Sequence, residues 1–203
     1  MSSYRTVAAA FRFEPERVKN SRFIADVLPI ADEAEGLAHV DRLWQEFPDA
    51  NHVCWAWRLG AKGERHRHAD DGEPGGSAGL PILRRIEGQE LSHVLVCVTR
   101  WFGGVKLGVG GLVRAYGGAC GMALDRAEIV VVQELVRLTV DFDYDDSRAL
   151  DGVLKNSDAT ILESFFDARV RHLVELPLEQ VGEVERRLVD ASRGRATVRR
   201  LDD

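Results

Sequence analysis

The chain has 203 residues, of which 45% are hydrophobic and 30% are charged. This balance is typical of folded proteins and excludes a disordered, collagen-like or low-complexity chain. No window approaches the roughly 18 unbroken apolar residues of a membrane-spanning helix, and the first residues, which include Arg5 and Arg12, do not resemble a secretory signal. We therefore expect a cytoplasmic protein of one or two domains with no membrane partner.

The net charge of −6 is unevenly distributed, because residues 1–132 carry −1 and residues 133–203 carry −5. Bulk charge therefore does not indicate a strongly basic nucleic-acid binder, although local basic clusters leave an anion site possible. The cysteines are odd in number, lie far apart and have apolar neighbours, so we expect buried, reduced thiols and no metal site. They are Cys54, Cys97 and Cys120.

In chain order, strands are expected over residues 7–13 and 21–28. Asp32 has the position of a helix N-cap, and Glu35 follows at the spacing of a capping box. The apolar face expected for this helix comprises Leu37, Val40, Trp44 and Phe47. A strand rich in aromatic residues is expected over residues 52–59.

Residues 60–79 are rich in glycine and charge, and this composition predicts a loop. A short helix over residues 80–89 and a strand buried on both faces over residues 92–101 follow. Next comes a glycine-rich turn, which leads into a helix over residues 112–127. The remaining pattern alternates as strand, helix, strand, strand, helix and strand, at 135–144, 147–156, 160–166, 170–176, 178–192 and 196–201. This βαββαβ order is typical of a ferredoxin-like domain, so we divide the chain into domains 1–132 and 133–203.

The glycine-rich turn is the densest chemical signal. A strand that ends in glycines and enters a helix leaves several backbone N–H groups unpaired, and the helix dipole adds partial positive charge there. Phosphate or carboxylate is the expected ligand, although the turn lacks the Gly-Lys-Ser/Thr ending of a Walker loop. The candidate anion-binding residues are Arg100, Gly103, Gly104, Lys106, Gly108, Gly110, Gly111 and Arg114.

A second candidate is the acidic segment that contains Asp70, Asp71 and Glu73. Its carboxylates could bind Mg²⁺ or exchange protons. They could instead accept hydrogen bonds that hold the loop, with Ser77 as the cap of the next helix; we favour this structural interpretation. His52 could act as an acid, a base or a phosphate donor if it lines the site.

Four strings resemble the IMPACT/YigZ family: VKNSRFIA (18–25), HVCWAWR (52–58), DDGEPGGSAGLPIL (70–83) and VTRWFGGVKLGVGGLVRAYGGA (98–119). The resemblance implies an α+β protein. Its first domain would have the left-handed βαβ fold of a small-subunit ribosomal protein domain and of GHMP small-molecule kinases. Its second domain would be ferredoxin-like, similar to a C-terminal domain of elongation factor G. The family pattern adds Tyr116 to a pocket that also comprises His52, Asp70, Asp71, Glu73 and Ser77.

Eukaryotic relatives regulate translation, so the resemblance favours a regulator that binds RNA, the ribosome or a translation factor, or a phosphate-containing ligand. One alternative is an Mg²⁺-dependent enzyme that acts on a phosphorylated small molecule or nucleotide, with His52 as its acid or base. Another is a protein-interaction module that uses the acidic second domain. No catalytic residue, resident metal or other cofactor is predicted, and the sequence leaves the oligomeric state open.

Overall fold

A computed structural model describes residues 3–201, which form an α+β structure of two units. The first unit comprises residues 4–132, and the second comprises residues 133–201 together with Ser3. No helix within the described range is both long and apolar enough to cross a membrane. The three cysteines are buried and free, as expected.

The first unit is built on a five-stranded antiparallel sheet with the strand order β2-β3-β6-β4-β5. A separate two-stranded sheet joins β1 and β7. The elements are β1 (Ser3–Val7), β2 (Phe11–Phe13), β3 (Arg22–Pro29), α1 (Glu33–Glu46), β4 (His52–Leu59), β5 (Arg65–Ala69), α2 (Gly79–Gly88), β6 (Val94–Trp101), α3 (Val109–Leu124) and β7 (Ile129–Gln133).

The central strand β6 is buried on both faces, which explains its nearly continuous apolar sequence. Val96 and Val98 pack with the side chains of α2 and α3. Leu95 and Cys97, which point to the opposite face, pack with α1. The sheet therefore separates two hydrophobic layers, with α2 and α3 on one side and α1 on the other.

The expected cap of α1 is confirmed. Asp32 Oδ1 accepts a hydrogen bond from the Glu35 backbone N–H at 2.8 Å, and Glu35 Oε2 accepts one from Ala31 N at 2.7 Å. The expected apolar face needs a correction, because Leu37 is 36% exposed and Leu43 is buried in its place. The cap orients the first turn, but contact with the sheet decides which apolar positions are covered.

Two other expectations are wrong in detail. The single strand expected over residues 7–13 is two strands, because β1 pairs with β7 whereas β2 pairs with β3. The loop expected over residues 60–79 contains β5, which pairs with β4 at the edge of the sheet. The side chains of β5 are nearly all exposed, so the strand leaves no hydrophobic periodicity in the sequence.

The second unit is a four-stranded antiparallel sheet with the order β11-β8-β10-β9. One face of the sheet and the two helices enclose a separate hydrophobic core, to which Leu138, Val174 and Leu188 contribute. The elements are β8 (Leu135–Phe142), α4 (Ser147–Lys155), β9 (Thr160–Phe166), β10 (Val170–Pro177), α5 (Val181–Ala191) and β11 (Thr197–Leu201).

Two glycines of the first unit give a matched test of packing. A Cβ at Gly103 would overlap the backbone of Asn20 and Ser21, whereas a Cβ at Gly118, inside α3, would meet open space. We expect Gly103→Ala to lower the free energy of unfolding by about 1–3 kcal/mol. Gly118→Ala should raise it by about 0.5–1 kcal/mol, because alanine restricts the unfolded chain. Urea titration of both variants measures the difference, and equal effects would contradict the close contact at Gly103.

Candidate functional site

Three neighbouring strands place Arg100 at the centre of the candidate site. In the register of the sheet, Arg100 on β6 lies opposite Phe23 on β3 and opposite His52 on β4. Residues that face each other across antiparallel strands project from the same side of a sheet. This row lies on the side that α2 and α3 cover, where Phe23 joins the hydrophobic core.

Arg100 forms a buried ion pair with Glu73. Arg100 Nη1 lies 2.5 Å from Glu73 Oε1, and the two side chains are 5% and 4% exposed. Arg100 Nη2 donates to Ser21 Oγ at 3.3 Å. The sequence suggested a surface cation that contacts phosphate, but the structure uses Arg100 as an internal crosslink. A buried charge of this kind requires a partner and hydrogen bonds, and Glu73 and Ser21 supply them at Nη1 and Nη2, whereas Nε has no partner among the described residues.

Tyr116 brings α3 to the same carboxylate. Its phenol donates a hydrogen bond to Glu73 Oε1 at 2.6 Å, and its ring meets that of Phe23 edge-on at 5.4 Å. Burial, together with the neighbouring Cys54 and Glu73, raises the pKa of Tyr116 far above its ordinary value. The phenol therefore keeps its proton and remains a donor to Glu73.

Asp70 turns inward and caps α2 from outside the helix. Its carboxylate accepts hydrogen bonds from the backbone N–H groups of Gly76, Ala78 and Gly79 at 2.7, 3.0 and 2.8 Å. Burial opposes the charged form, but these three hydrogen bonds outweigh it and lower the pKa of Asp70 below its ordinary value. Ser77 is not the cap, because its hydroxyl is buried without a partner among the described residues.

Asp71 ties the acidic segment to β4. Its Oδ2 accepts a hydrogen bond from Val53 N at 2.6 Å, and its backbone carbonyl accepts one from His52 Nδ1 at 2.7 Å. The carbonyl can only accept, so the proton of the neutral imidazole is on Nδ1. His52 Nε2 then lies 3.9 Å from Glu73 Oε1 on a side chain that is 24% exposed.

The acidic segment thus offers its carboxylates to the protein itself. Asp70 and Asp71 accept from backbone amides, and Glu73 pairs with Arg100. Within residues 3–201, no group of three or more His, Cys, Asp or Glu side chains is arranged to hold a metal ion. This geometry agrees with the structural interpretation of the segment and offers Mg²⁺ no ready-made cluster of ligands.

The glycine-rich turn remains open at its surface. Gly104 and Gly108 have positive φ angles of 84° and 72°, and a Cβ at either would meet nothing within 4 Å. α3 begins at Val109, and its first intrahelical bond is donated by Leu112 N to Gly108 O at 2.9 Å. In the described part of the chain, no group accepts from the amides of residues 109–111.

A cavity of about 190 Å³ adjoins this turn, and Lys19 and Arg114 line it. Arg114 extends back along the helix, with Nη1 3.9 Å from the position that a Cβ on Gly110 would take. Lys106 is exposed on the turn but does not line the cavity. The remaining lining residues are Val18, Leu107, Gly111 and Ala115.

Lys19 is the site residue that sequence reasoning missed. It lies far from the glycine-rich turn in the sequence and reaches it only because Gly103 packs on the backbone of Asn20 and Ser21. Lys19 and Asn20 have positive φ angles of 45° and 64°, and Val18 and Ser21 exchange backbone hydrogen bonds across them. The string VKNSRFIA contained Lys19, but a tight turn of two residues without glycine carries little sequence signal.

These features define a two-unit α+β protein whose first unit presents a glycine-rich turn beside cations that have no carboxylate partner among the described residues. Residues 19–124 match the model of the Impact N-terminal domain, and residues 140–195 match a domain of unknown function, DUF1949. The chain is 37% identical over 182 residues to the IMPACT family member YigZ of Escherichia coli (strain K12). The aligned residues cover 88% of this chain and 89% of that protein. The chain belongs to the IMPACT family.

Two further similarities extend this assignment. The Protein IMPACT homolog of Saccharomyces cerevisiae is 32% identical over 98 residues, covering 47% of this chain and 38% of that protein. A crystal structure described as that of a hypothetical protein is similar to this chain, with a TM-score of 0.69 and 32% sequence identity. The match covers 100% of this chain and 99% of the chain in that structure. The resemblance to the family seen in the sequence is therefore confirmed.

The lowered pKa of Asp70 predicts a pH-dependent contribution to stability. The carboxylate stabilises the fold above its unfolded pKa, and this stabilisation is lost as the pH falls through the lower folded pKa. We expect Asp70→Asn to lower the free energy of unfolding by about 1–2 kcal/mol near pH 7 and by less at about pH 3, below the ordinary pKa of an aspartate. Urea titration at both pH values measures this. Asp41→Asn, on an exposed part of α1, serves as the control, and a deficit of Asp70→Asn that does not change with pH would contradict the prediction.

The shared acceptor on Glu73 predicts coupling between two substitutions. Glu73→Gln should lower the free energy of unfolding by about 3–5 kcal/mol, because it leaves the charge of Arg100 buried without its partner. Tyr116→Phe alone should lower the free energy of unfolding by about 2 kcal/mol. In the Glu73→Gln background the loss should be smaller, because the charged acceptor of the phenol hydrogen bond is absent. A double-mutant cycle from denaturant unfolding measures the coupling. Equal costs of Tyr116→Phe in both backgrounds would show that the phenol acts independently.

Proposed function

We propose that this protein regulates translation by binding a phosphate-bearing ligand, RNA or the ribosome, at the turn formed by residues 103–111. The observation that carries the proposal is the pair of cations, Lys19 and Arg114, beside a cavity at the turn. Within residues 3–201, neither side chain forms an ion pair with a carboxylate. The free amides at the start of α3 add partial positive charge at the same place.

The beginning of α2 supports this proposal by comparison. There, the carboxylate of Asp70 accepts from three backbone amides, so the chain supplies its own anion. At α3 the described residues supply no such acceptor to residues 109–111. Backbone amides of a helix N-terminus bind phosphate as readily as carboxylate, so the turn is suited to an anion that comes from another molecule.

We propose translation as the process affected because the family resemblance implied it, and membership of the family and similarity to the yeast IMPACT homolog support that proposal. The fold types expected from the sequence belong to the same proposal. A ferredoxin-like second domain is supported by the sequence of its elements, β8-α4-β9-β10-α5-β11. The order of the strands in its sheet, β11-β8-β10-β9, supports the same fold. We also propose a left-handed βαβ fold for the first domain. Both types are compatible with proteins of the translation apparatus, which the sequence resemblance implied.

The two alternatives receive less support. An Mg²⁺-dependent enzyme would need carboxylates free for the ion, and those of Asp70, Asp71 and Glu73 have internal partners. An acidic interaction module would need an acidic surface on the second unit. The open face of its sheet instead balances its charges, since Arg137 pairs with Glu175 at 3.1 Å and Arg171 pairs with Asp141 at 2.6 Å.

Removal of the two cavity cations tests the proposed function. In a titration of labelled RNA, Lys19→Ala with Arg114→Ala should weaken binding and reduce the dependence of log K on log salt by about 0.7 for each phosphate that the variant no longer neutralises. The titrations are made at about 0.05 and about 0.2 M salt. Lys106→Ala should have a smaller effect, because Lys106 does not line the cavity.

The matched control removes two cations from elsewhere in the same unit. Arg42 lies on α1, which covers the opposite face of the sheet, and Lys62 lies in the turn between β4 and β5. Arg42→Ala with Lys62→Ala makes the same change in net charge. Binding that falls equally in both double variants would contradict a local anion site and indicate general electrostatic attraction.

A further inference from the structure

We infer that the ligand of this site is a single-stranded nucleic acid, one base of which stacks on Phe102 while an adjacent phosphate lies between Lys19 and Arg114. This inference rests on the proposed function and specifies the substrate class. Phe102 follows β6 directly and precedes the glycine-rich turn. It is 47% exposed, so a large part of its side chain is available to another molecule.

Phe102 is held in place from two directions. Its backbone N–H donates to Asn51 Oδ1 at 2.7 Å. The guanidinium of Arg100 lies over its ring, 5.6 Å from the centroid, and Arg100 is itself fixed by Glu73 and Ser21. One face of the ring therefore lies on a buried cation, and the exposed area of the side chain is turned to solvent. An aromatic ring that is ordered before binding loses little conformational entropy when a base stacks on it.

The ring and the cations are joined by a direct contact between two turns. Gly103, which follows Phe102, donates from its N–H to Ser21 Oγ at 3.3 Å. Its Cα is so close to the Asn20 backbone that a Cβ could not be accommodated. Lys19, at the cavity, immediately precedes Asn20. This contact therefore joins the segment that carries the stacking surface to the segment that carries Lys19.

The chemistry of this arrangement favours a single strand. Unpaired bases can stack on an aromatic side chain, and Lys and Arg then hold the backbone, which is the usual combination in single-strand binding proteins. The bases of a duplex are already stacked on each other, so a duplex would contact only the cations, through its phosphates. The cavity of about 190 Å³ is lined by two cations and has room for a phosphate group, and the exposed ring of Phe102 offers a base a stacking surface.

The alternative role of Phe102 is to shield the Arg100–Glu73 pair from water. In that case a substitution of Phe102 would change the free energy of unfolding. It would not lower the affinity for single strands more than the affinity for other anions. The conservative variant Phe102→Tyr keeps both the shield and the stacking ring, and Phe102→Ala removes both. Phe165→Ala provides a control, because Phe165, on β9 of the second unit, is a phenylalanine of similar exposure at 52%.

The experiment uses the full chain and measures fluorescence anisotropy with labelled oligo(U) and oligo(dT) of about 12 nucleotides. A duplex of the same length and unlabelled tripolyphosphate serve as probes of the anion site alone. We expect Phe102→Ala to weaken single-strand binding roughly 5- to 100-fold, with little change in salt dependence. The affinity of Phe102→Ala for tripolyphosphate should stay at the wild-type level, and Phe102→Tyr and Phe165→Ala should bind single strands like the wild type. Comparison of the affinities for oligo(U) and oligo(dT) shows whether the protein prefers RNA or DNA.

Other outcomes separate this inference from the proposed function. If the variant lacking Lys19 and Arg114 binds weakly but Phe102→Ala binds single strands like the wild type, the anion site stands and stacking is refuted. Stacking is also refuted if tripolyphosphate binds and single strands do not, or if Phe102→Ala weakens duplex and single strand equally. If the wild type binds neither oligonucleotide nor tripolyphosphate, both the inference and the proposed function fail. Urea titration of each variant shows whether a loss of binding follows from unfolding.

Discussion

The buried ion pair between Arg100 and Glu73 is the interaction on which the rest of the site depends. It joins the central strand to the acidic segment, and Tyr116 attaches α3 to the same carboxylate oxygen. Ser21 accepts from Arg100 and also from the amide of Gly103, so the glycine-rich turn is connected to the pair as well. A buried charge without its partner is costly, so these segments are held in one arrangement.

This arrangement explains how a chain with a net charge of −6 can present the proposed anion site. The acidic segment directs its carboxylates inward, where backbone amides and Arg100 satisfy them. The cations near the turn have no such internal partners within the described residues and stay at the surface. Local potential depends on which charges are neutralised close by, and bulk charge is a poor guide to it.

Sequence patterns predicted most of the elements, because burial leaves periodic hydrophobicity wherever a core exists. The double-sided burial of β6 and the cap at Asp32 belong to this class. One missed strand is β5, which exposes nearly all of its side chains and is defined by backbone pairing with β4. β7 was also missed, although its sequence is apolar and its side chains are partly buried. The exposed side chains of β5 add no hydrophobic signal, so glycine and charge content led to the expectation of a loop there.

The sequence by itself determined the family, the alternation of elements in the second unit and the presence of a glycine-rich turn in front of a helix, since each depends on the order of neighbouring residues. Only the tertiary structure decided which charged side chains face inward and which remain available. Arg100 and Glu73 neutralise each other inside the protein, whereas Lys19 approaches Arg114 from a distant turn. The physical reason is that burial and hydrogen bonding are properties of contacts between distant segments, which exist only after the sheet has formed.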